Sequence, residues 1–165
     1  MCGLSERPWL VVAGVGNRFR TDDGVGTALV EAWQGRKPTP GVAAELWEEL
    51  DGAGVAQRLI ELDRPVLIVD CAELGAAGGH CRLLGGEELL RVVPRNVVST
   101  HGFGLAEALP LARALGFARP LWLLAVQPFA TAVGGALSSP MLRALPALGE
   151  ALADAVATIQ GELGH

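Results

Sequence analysis

The chain has 165 residues, half of them hydrophobic and 19% charged, with 13 basic against 18 acidic side chains for a formal charge of −5. That length fits one ordinary domain with ample material for a core, and residues 1–165 are expected to form it. Lys and Arg form no stripe, which argues against a nucleic-acid surface.

The apolar runs at Trp9–Gly16, Pro65–Ala72 and Pro120–Val126 are far shorter than the roughly 20 residues that cross a bilayer, so they read as buried strands. No basic leader followed by an apolar stretch opens the chain. Cys2, Cys71 and Cys81 are odd in number and lack a Cys-x-x-Cys spacing, which disfavours a disulfide framework and a thiolate zinc site. The expectation is a reducing, cytoplasmic setting with no membrane and no nucleic-acid partner.

In chain order, Trp9–Gly16 is nearly unbroken in its apolar character and predicts a strand covered on both faces. A loop over Asn17–Asp23 leads into a helix around Gly24–Trp33, with Val25, Leu29 and Trp33 on one face. After a turn at Gly35–Gly41, Val42–Leu50 alternates apolar and polar residues as a less buried strand does. Gly54–Leu62 predicts a second helix, and Pro65–Ala72 is a strand running straight into Asp70. His80–Leu84 reads as an edge strand, Leu105–Leu115 as a helix and Pro120–Gln127 as the last core strand. The C-terminal helix places Leu145, Leu148, Leu152, Val156 and Ile159 on one side. Strands alternating with amphipathic helices predict a three-layer α/β/α sandwich around a mixed, mostly parallel sheet.

In such sheets, ligands bind beyond the carboxyl ends of the strands. The first strand is followed by GVGNRFRTDDGVG (residues 14–26), the strand Pro65–Ala72 ends at Asp70, and a further loop carries Ser99, Thr100, His101 and Gly102 ahead of a helix. Two carboxylate sources and an imidazole are thereby expected at one rim, an oxygen-and-nitrogen donor set suited to nickel, zinc, copper or iron. Two such acids repel one another in a poorly solvated cleft, and a divalent cation relieves that repulsion. A neutral His101 is needed for ligation.

Each residue also has an ordinary use. Asp22 and Asp23 can cap the helix they precede, Asp70 can bind neighbouring loop amides, and a His before a helix is often structural. His80 and His165 read as solvated, and Cys71 as a small buried hydrophobe. A dinucleotide fingerprint needs a third Gly where Phe19 stands, and two acids crowd the phosphate position. No Gly-x-Ser-x-Gly elbow is present, which disfavours a serine hydrolase.

The block GVGNRFRTDDGVG resembles the opening signature of the nickel–iron hydrogenase maturation peptidases. The likeness continues through VLIVDCAELGAAGG (66–79), STHGFGLAEAL (99–109) and LLAVQPFATAVGGALSSPM (123–141), in the family's order and spacing. The resemblance implies an α/β/α sandwich and an aspartic-type or metal-dependent endopeptidase. Such an enzyme trims a short C-terminal extension from a hydrogenase large subunit once nickel is inserted.

It also implies metal contacts at Asp23, Asp70 and His101, with the nickel borne by the substrate and no organic cofactor. The partner implied is the large-subunit precursor, met by a monomer. At the position of Asp23 the family often carries Glu, and its Asp-Gly-Gly-Thr-like turn is replaced here by Asp51-Gly52-Ala53-Gly54-Val55. Asp51 is the candidate for a catalytic carboxylate, with an Asx-turn role as the ordinary reading. The rival reading is a non-catalytic metal-sensing chaperone that binds the immature subunit. A third is a small-molecule hydrolase or nucleotide binder on a similar sheet.

Overall fold

The structure is a computed structural model that describes residues 7–36, 39–48, 50–89, 91, 104–130 and 134–165. Its strands are β1 (Leu10–Gly16), β2 (Val42–Glu48), β3 (Val66–Cys71), β4 (Cys81–Gly85) and β5 (Leu121–Val126). The helices are α1 (Val25–Gln34), α2 (Gly52–Leu62), α3 (Leu105–Ala114) and α4 (Ser139–Leu163), and a 3-10 turn over Thr21–Gly24 precedes α1.

The strands form one sheet in the order β2-β1-β3-β5-β4. The first four of these run parallel, and β4 lies antiparallel to β5 at the edge. The expected mixed, mostly parallel sheet between helical layers is what the chain forms.

Period-two alternation divides the core into two layers. Val11, Ala13, Val66, Ile68, Leu121 and Leu123 face α2 and α3, where Val55, Leu59, Ala108 and Leu109 meet them. Leu10, Val12, Leu67, Val69, Leu124 and Val126 face the other way, onto Leu29 and Val30 of α1 and Met141, Leu148, Leu152 and Ile159 of α4. Central strands β1, β3 and β5 are therefore apolar at nearly every position, because both faces are covered. Strand β2 sits at an edge, carries Glu45 and Glu48 among apolar residues and is half-buried along its length, with Trp47 its most buried member.

The elements match the sequence expectations to within a few residues, and the differences have local causes. The predicted helix start at Gly24 is split, since the chain passes through a 3-10 turn before α1 begins at Val25. Helix α2 begins at Gly52 rather than Gly54, because Asp51 caps it. His165 is exposed as expected, yet its ring stacks on Trp9 at 5.2 Å, tying the C-terminus to the start of β1.

Candidate functional site at the carboxyl rim

Strands β1, β2, β3 and β5 all deliver their carboxyl ends to the same edge of the sheet. The chain leaves β1 toward β2 on one side and returns to β3 on the other, so the order of winding reverses between β1 and β3. The crevice at such a reversal is where open α/β sheets take their ligands. Here it is lined by the turn carrying Asp23 and by the end of β3 carrying Asp70.

Glycines let these two elements meet. A Cβ built on Gly26 falls 2.2 Å from the Val69 carbonyl oxygen and 2.3 Å from that of Val15, so only hydrogen fits where α1 starts against β1 and β3. Gly16 adopts φ +139°, and a Cβ there would meet the Asp23 carbonyl oxygen at 2.1 Å. The glycines of this block thus serve close backbone packing rather than a phosphate cradle.

Asp23 and Asp70 are both half-buried. One Asp23 oxygen accepts the Asn17 amide at 3.3 Å, and Asp70 accepts the Cys71 amide at 2.8 Å. Burial, and after it the nearby charge of Asp23, push the Asp70 carboxyl well above the usual carboxylate range, against a smaller opposing effect from the Cys71 amide. Asp23 therefore lies close enough to Asp70 for its charge to oppose the ionisation of the Asp70 carboxyl. The same burial, with the charges of Asp70 and Asp23, drives the Cys71 thiol upward, keeping it a protonated, packed side chain rather than a nucleophile.

Asp22 does not cap the helix as its position suggests. It is fully buried, and its carboxylate accepts the amides of Phe129, Ala130 and Ser138 and the Ser138 hydroxyl, each at 2.9 Å. The backbone adds to the seam: the Thr21 amide donates to the Gly135 carbonyl, that of Asp22 to Ala130, and that of Gly134 to Phe19. Thr21 is held at φ 46°, a left-handed value that β-branched residues rarely take and that costs about 1–3 kcal/mol.

A second buried polar group, Gln127, fastens the adjoining loop. Its carbonyl oxygen accepts the Leu74 amide at 2.6 Å and the Ala76 amide at 3.4 Å, while its amide donates to Glu73 at 2.8 Å. Neither role is visible from spacing alone, since the partners lie more than 50 residues away in sequence. For Gln127 the available signal was a lone polar residue closing an apolar strand; Asp22, set among Arg20, Thr21 and Asp23, carried no such signal.

Asp51 also lies at this rim but in a different setting. It is exposed at the end of the turn after β2, with extended backbone, and its Oδ1 accepts the Gly54 amide at 2.8 Å as the N-cap of α2. His101, the third expected metal contact, lies outside the described residues, as do Ser99 and Thr100. Among the described residues no three or more His, Cys, Asp and Glu side chains gather as a metal-binding group, so Asp23 and Asp70 stand as a pair. His80 is exposed, as expected.

A mostly parallel α/β sheet whose winding reverses between β1 and β3 places the chain in the doubly wound class. Comparison with known proteins narrows this. The family model described as "HycI: Hydrogenase maturation protease" matches residues 49–155. The chain is 30% identical over 149 residues to the hydrogenase expression/formation protein HupM of Azotobacter chroococcum mcd 1, a match covering 88% of this chain and 71% of that protein.

Among solved structures, the hydrogenase maturating endopeptidase HybD from E. coli superposes with a TM-score of 0.72 at 26% identity, covering 94% of this chain and 93% of HybD. The [NiFe] hydrogenase maturation protease HycI from Thermococcus kodakarensis KOD1 shares the fold, with a TM-score of 0.69 at 22% identity over 93% of this chain and 95% of that one. The chain belongs to the hydrogenase maturation protease family. No helix among the described residues is long and apolar enough to cross a membrane.

Proposed function

We propose that the chain is an endopeptidase that removes the C-terminal extension of a nickel-loaded [NiFe]-hydrogenase large subunit, reading the metal that the substrate carries. The observation behind this reading is the opposed pair Asp23 and Asp70 at the β1/β3 reversal. An arriving cation is favourable there, since it offsets the burial and the Asp23 charge that oppose ionisation of Asp70. His101 is proposed as the third contact, giving a mixed oxygen-and-nitrogen set compatible with nickel.

On this reading the nickel is part of the substrate, and the rim supplies only part of its coordination. A cation so held polarises a nearby carbonyl or activates a water for attack on the scissile peptide. No organic cofactor is invoked. No general base is assigned; Asp51 is the candidate carboxylate, already engaged in capping α2. The protein is proposed to work in the cytoplasm as a monomer.

The test is mass spectrometry of a large-subunit precursor incubated with the protein, with and without inserted nickel. Loss of a defined C-terminal peptide from the loaded form alone is the expected result. Asp70→Ala should abolish that loss while leaving the circular-dichroism spectrum intact. Cleavage of the nickel-free form at the same rate overturns the metal-reading role. A stable complex with a loaded precursor that is never cut converts the protein to a binding module.

A further inference from the structure

We infer that Asp22 is a positioning residue of this site, fixing Asp23 toward Asp70 by clamping the loop between β5 and α4; the inference rests on the functional reading above. Asp22 and Asp23 are consecutive in one 3-10 turn. In so short a turn, adjacent side chains cannot move independently. Asp23 faces the site, while Asp22 is fully buried and takes four donors from Phe129, Ala130 and Ser138.

All four donors come from a segment more than 100 residues downstream. They join the turn after β1 to the loop after β5. Ser138 extends the clamp further. Its hydroxyl donates to Asp22 at 2.9 Å and accepts the Met141 amide at 3.4 Å, so the same side chain that holds the turn also caps α4. The turn is thereby referenced to a 25-residue helix packed along the sheet rather than to a free loop.

This arrangement exceeds what helix capping requires. An Asp at a helix start satisfies local amides within the next turn, whereas no side-chain cap bond is made at the start of this 3-10 turn. Instead its charge is spent on distant backbone, and the turn holds Thr21 in the left-handed region. Release of the side-chain clamp weakens the seam around Thr21, to which the backbone bonds of Thr21, Asp22 and Gly134 also contribute, and loosens the turn that carries Asp23.

The carboxylate is also chemically matched to its donors. Three amides and a hydroxyl all donate, so an acceptor-only group is required. Asparagine has nearly the same shape but turns one NH2 toward those donors, which breaks the match without opening a cavity.

The experiment compares Asp22→Asn with Ile159→Ala, a buried change near the far end of α4 that loosens the core and leaves the rim alone. Two readouts are followed at matched fractions folded: nickel-dependent processing of the precursor, and the NMR shift and exchange protection of the Asn17 amide, which donates to Asp23. Asp22→Asn should lower kcat for processing at least tenfold and move the Asn17 amide. Ile159→Ala should lower the melting temperature and change neither. Ser138→Ala, which keeps its backbone donor and loses only the hydroxyl, should fall between wild type and Asp22→Asn.

Folded Asp22→Asn with wild-type processing and an unmoved Asn17 amide overturns the inference. So does an equal loss of processing in Ile159→Ala, which would make the effect one of general stability. A wild-type protein that fails to process loaded precursor overturns the functional reading by itself. In that case the Asn17 amide alone decides whether Asp22 sets the position of Asp23.

Discussion

Two Asp-Gly steps stand at the same rim, Asp23-Gly24 after β1 and Asp51-Gly52 after β2, and the fold treats them in opposite ways. The first lies in a turn whose neighbour Asp22 is buried among four donors, with glycines pressed against the carbonyls of two central strands. In the second, Asp51 is exposed and its side chain makes one cap bond at 2.8 Å, while Gly52 is buried at the start of α2, beside an edge strand. The contrast teaches that a sequence motif takes its meaning from what the topology stacks against it. The turn after β1 enters the middle of the sheet and is built rigidly, while the turn after β2 meets solvent and is built as an ordinary helix start.

The largest effect separating the two regions is expected at glycine. Gly26→Ala puts a methyl into two backbone carbonyls of central strands, at 2.2 and 2.3 Å, where nothing flexible can yield. The expected cost is about 3 kcal/mol or more, read by chemical denaturation. In the outer turn, Gly54→Ala meets the Leu50 side chain at 3.2 Å and Asp51 Oδ1 at 3.4 Å, inside a helix that prefers Ala. That change should fall within about 1 kcal/mol of wild type, with either sign. Similar losses for both would erase the distinction between a packed and a solvated turn.

The next effect sharpens the inner region through pH. Asp70 has its pKa raised in the folded protein by burial and by Asp23, so protonated Asp70 is the form the fold prefers. Stability from this group is complete below the ordinary carboxylate range and is lost as pH rises through the elevated folded value. Asp70→Asn removes the titration while keeping the shape. Its stability should equal wild type near the acid end and exceed it increasingly toward neutral pH, measured by urea denaturation across that range. An advantage that shrinks as pH rises contradicts a carboxyl held in a repulsive, buried site. Processing activity in the same variant should be lost, since stability and ligation make opposite demands on this residue.

Much of this was legible in the sequence, and the part that was not has a consistent cause. Runs such as Val66–Val69 announced central parallel strands because burial on both faces leaves no room for polar residues. Asp23 and Asp70 were legible as rim residues because each ends or follows such a run. The role of Asp22 was not, because its partners Phe129, Ala130 and Ser138 are brought to it only by the tertiary fold. Locally, an acid before a helix looks like a cap. Gln127 was hidden in the same way, lying at the end of an apolar strand with its three loop partners contributed by residues 73–76. The start of α2 differs from the expected Gly54 because the local bond of Asp51, expected as an Asx turn, is an N-cap that sets the first helical residue at Gly52.

The smallest expected effect decides what Asp51 is. Asp51→Ala removes one N-cap acceptor from an exposed helix end and should cost about 1 kcal/mol. That loss alone says nothing about catalysis, because any variant that weakens α2 also disturbs the rim. Asp51→Ser separates the two roles: serine caps nearly as well as aspartate, so stability should stay within about 0.5 kcal/mol of wild type, yet the carboxylate is gone. If Asp51 only starts a helix, Asp51→Ser processes the nickel-loaded precursor at the wild-type rate, and the outer turn is purely architectural. If the carboxylate takes part in proton transfer, Asp51→Ser falls by the 100-fold or more typical of a lost acid–base group, with its melting temperature unchanged. Comparing Asp51→Ala with Asp51→Ser in one processing assay therefore assigns the residue from a difference that stability cannot mimic.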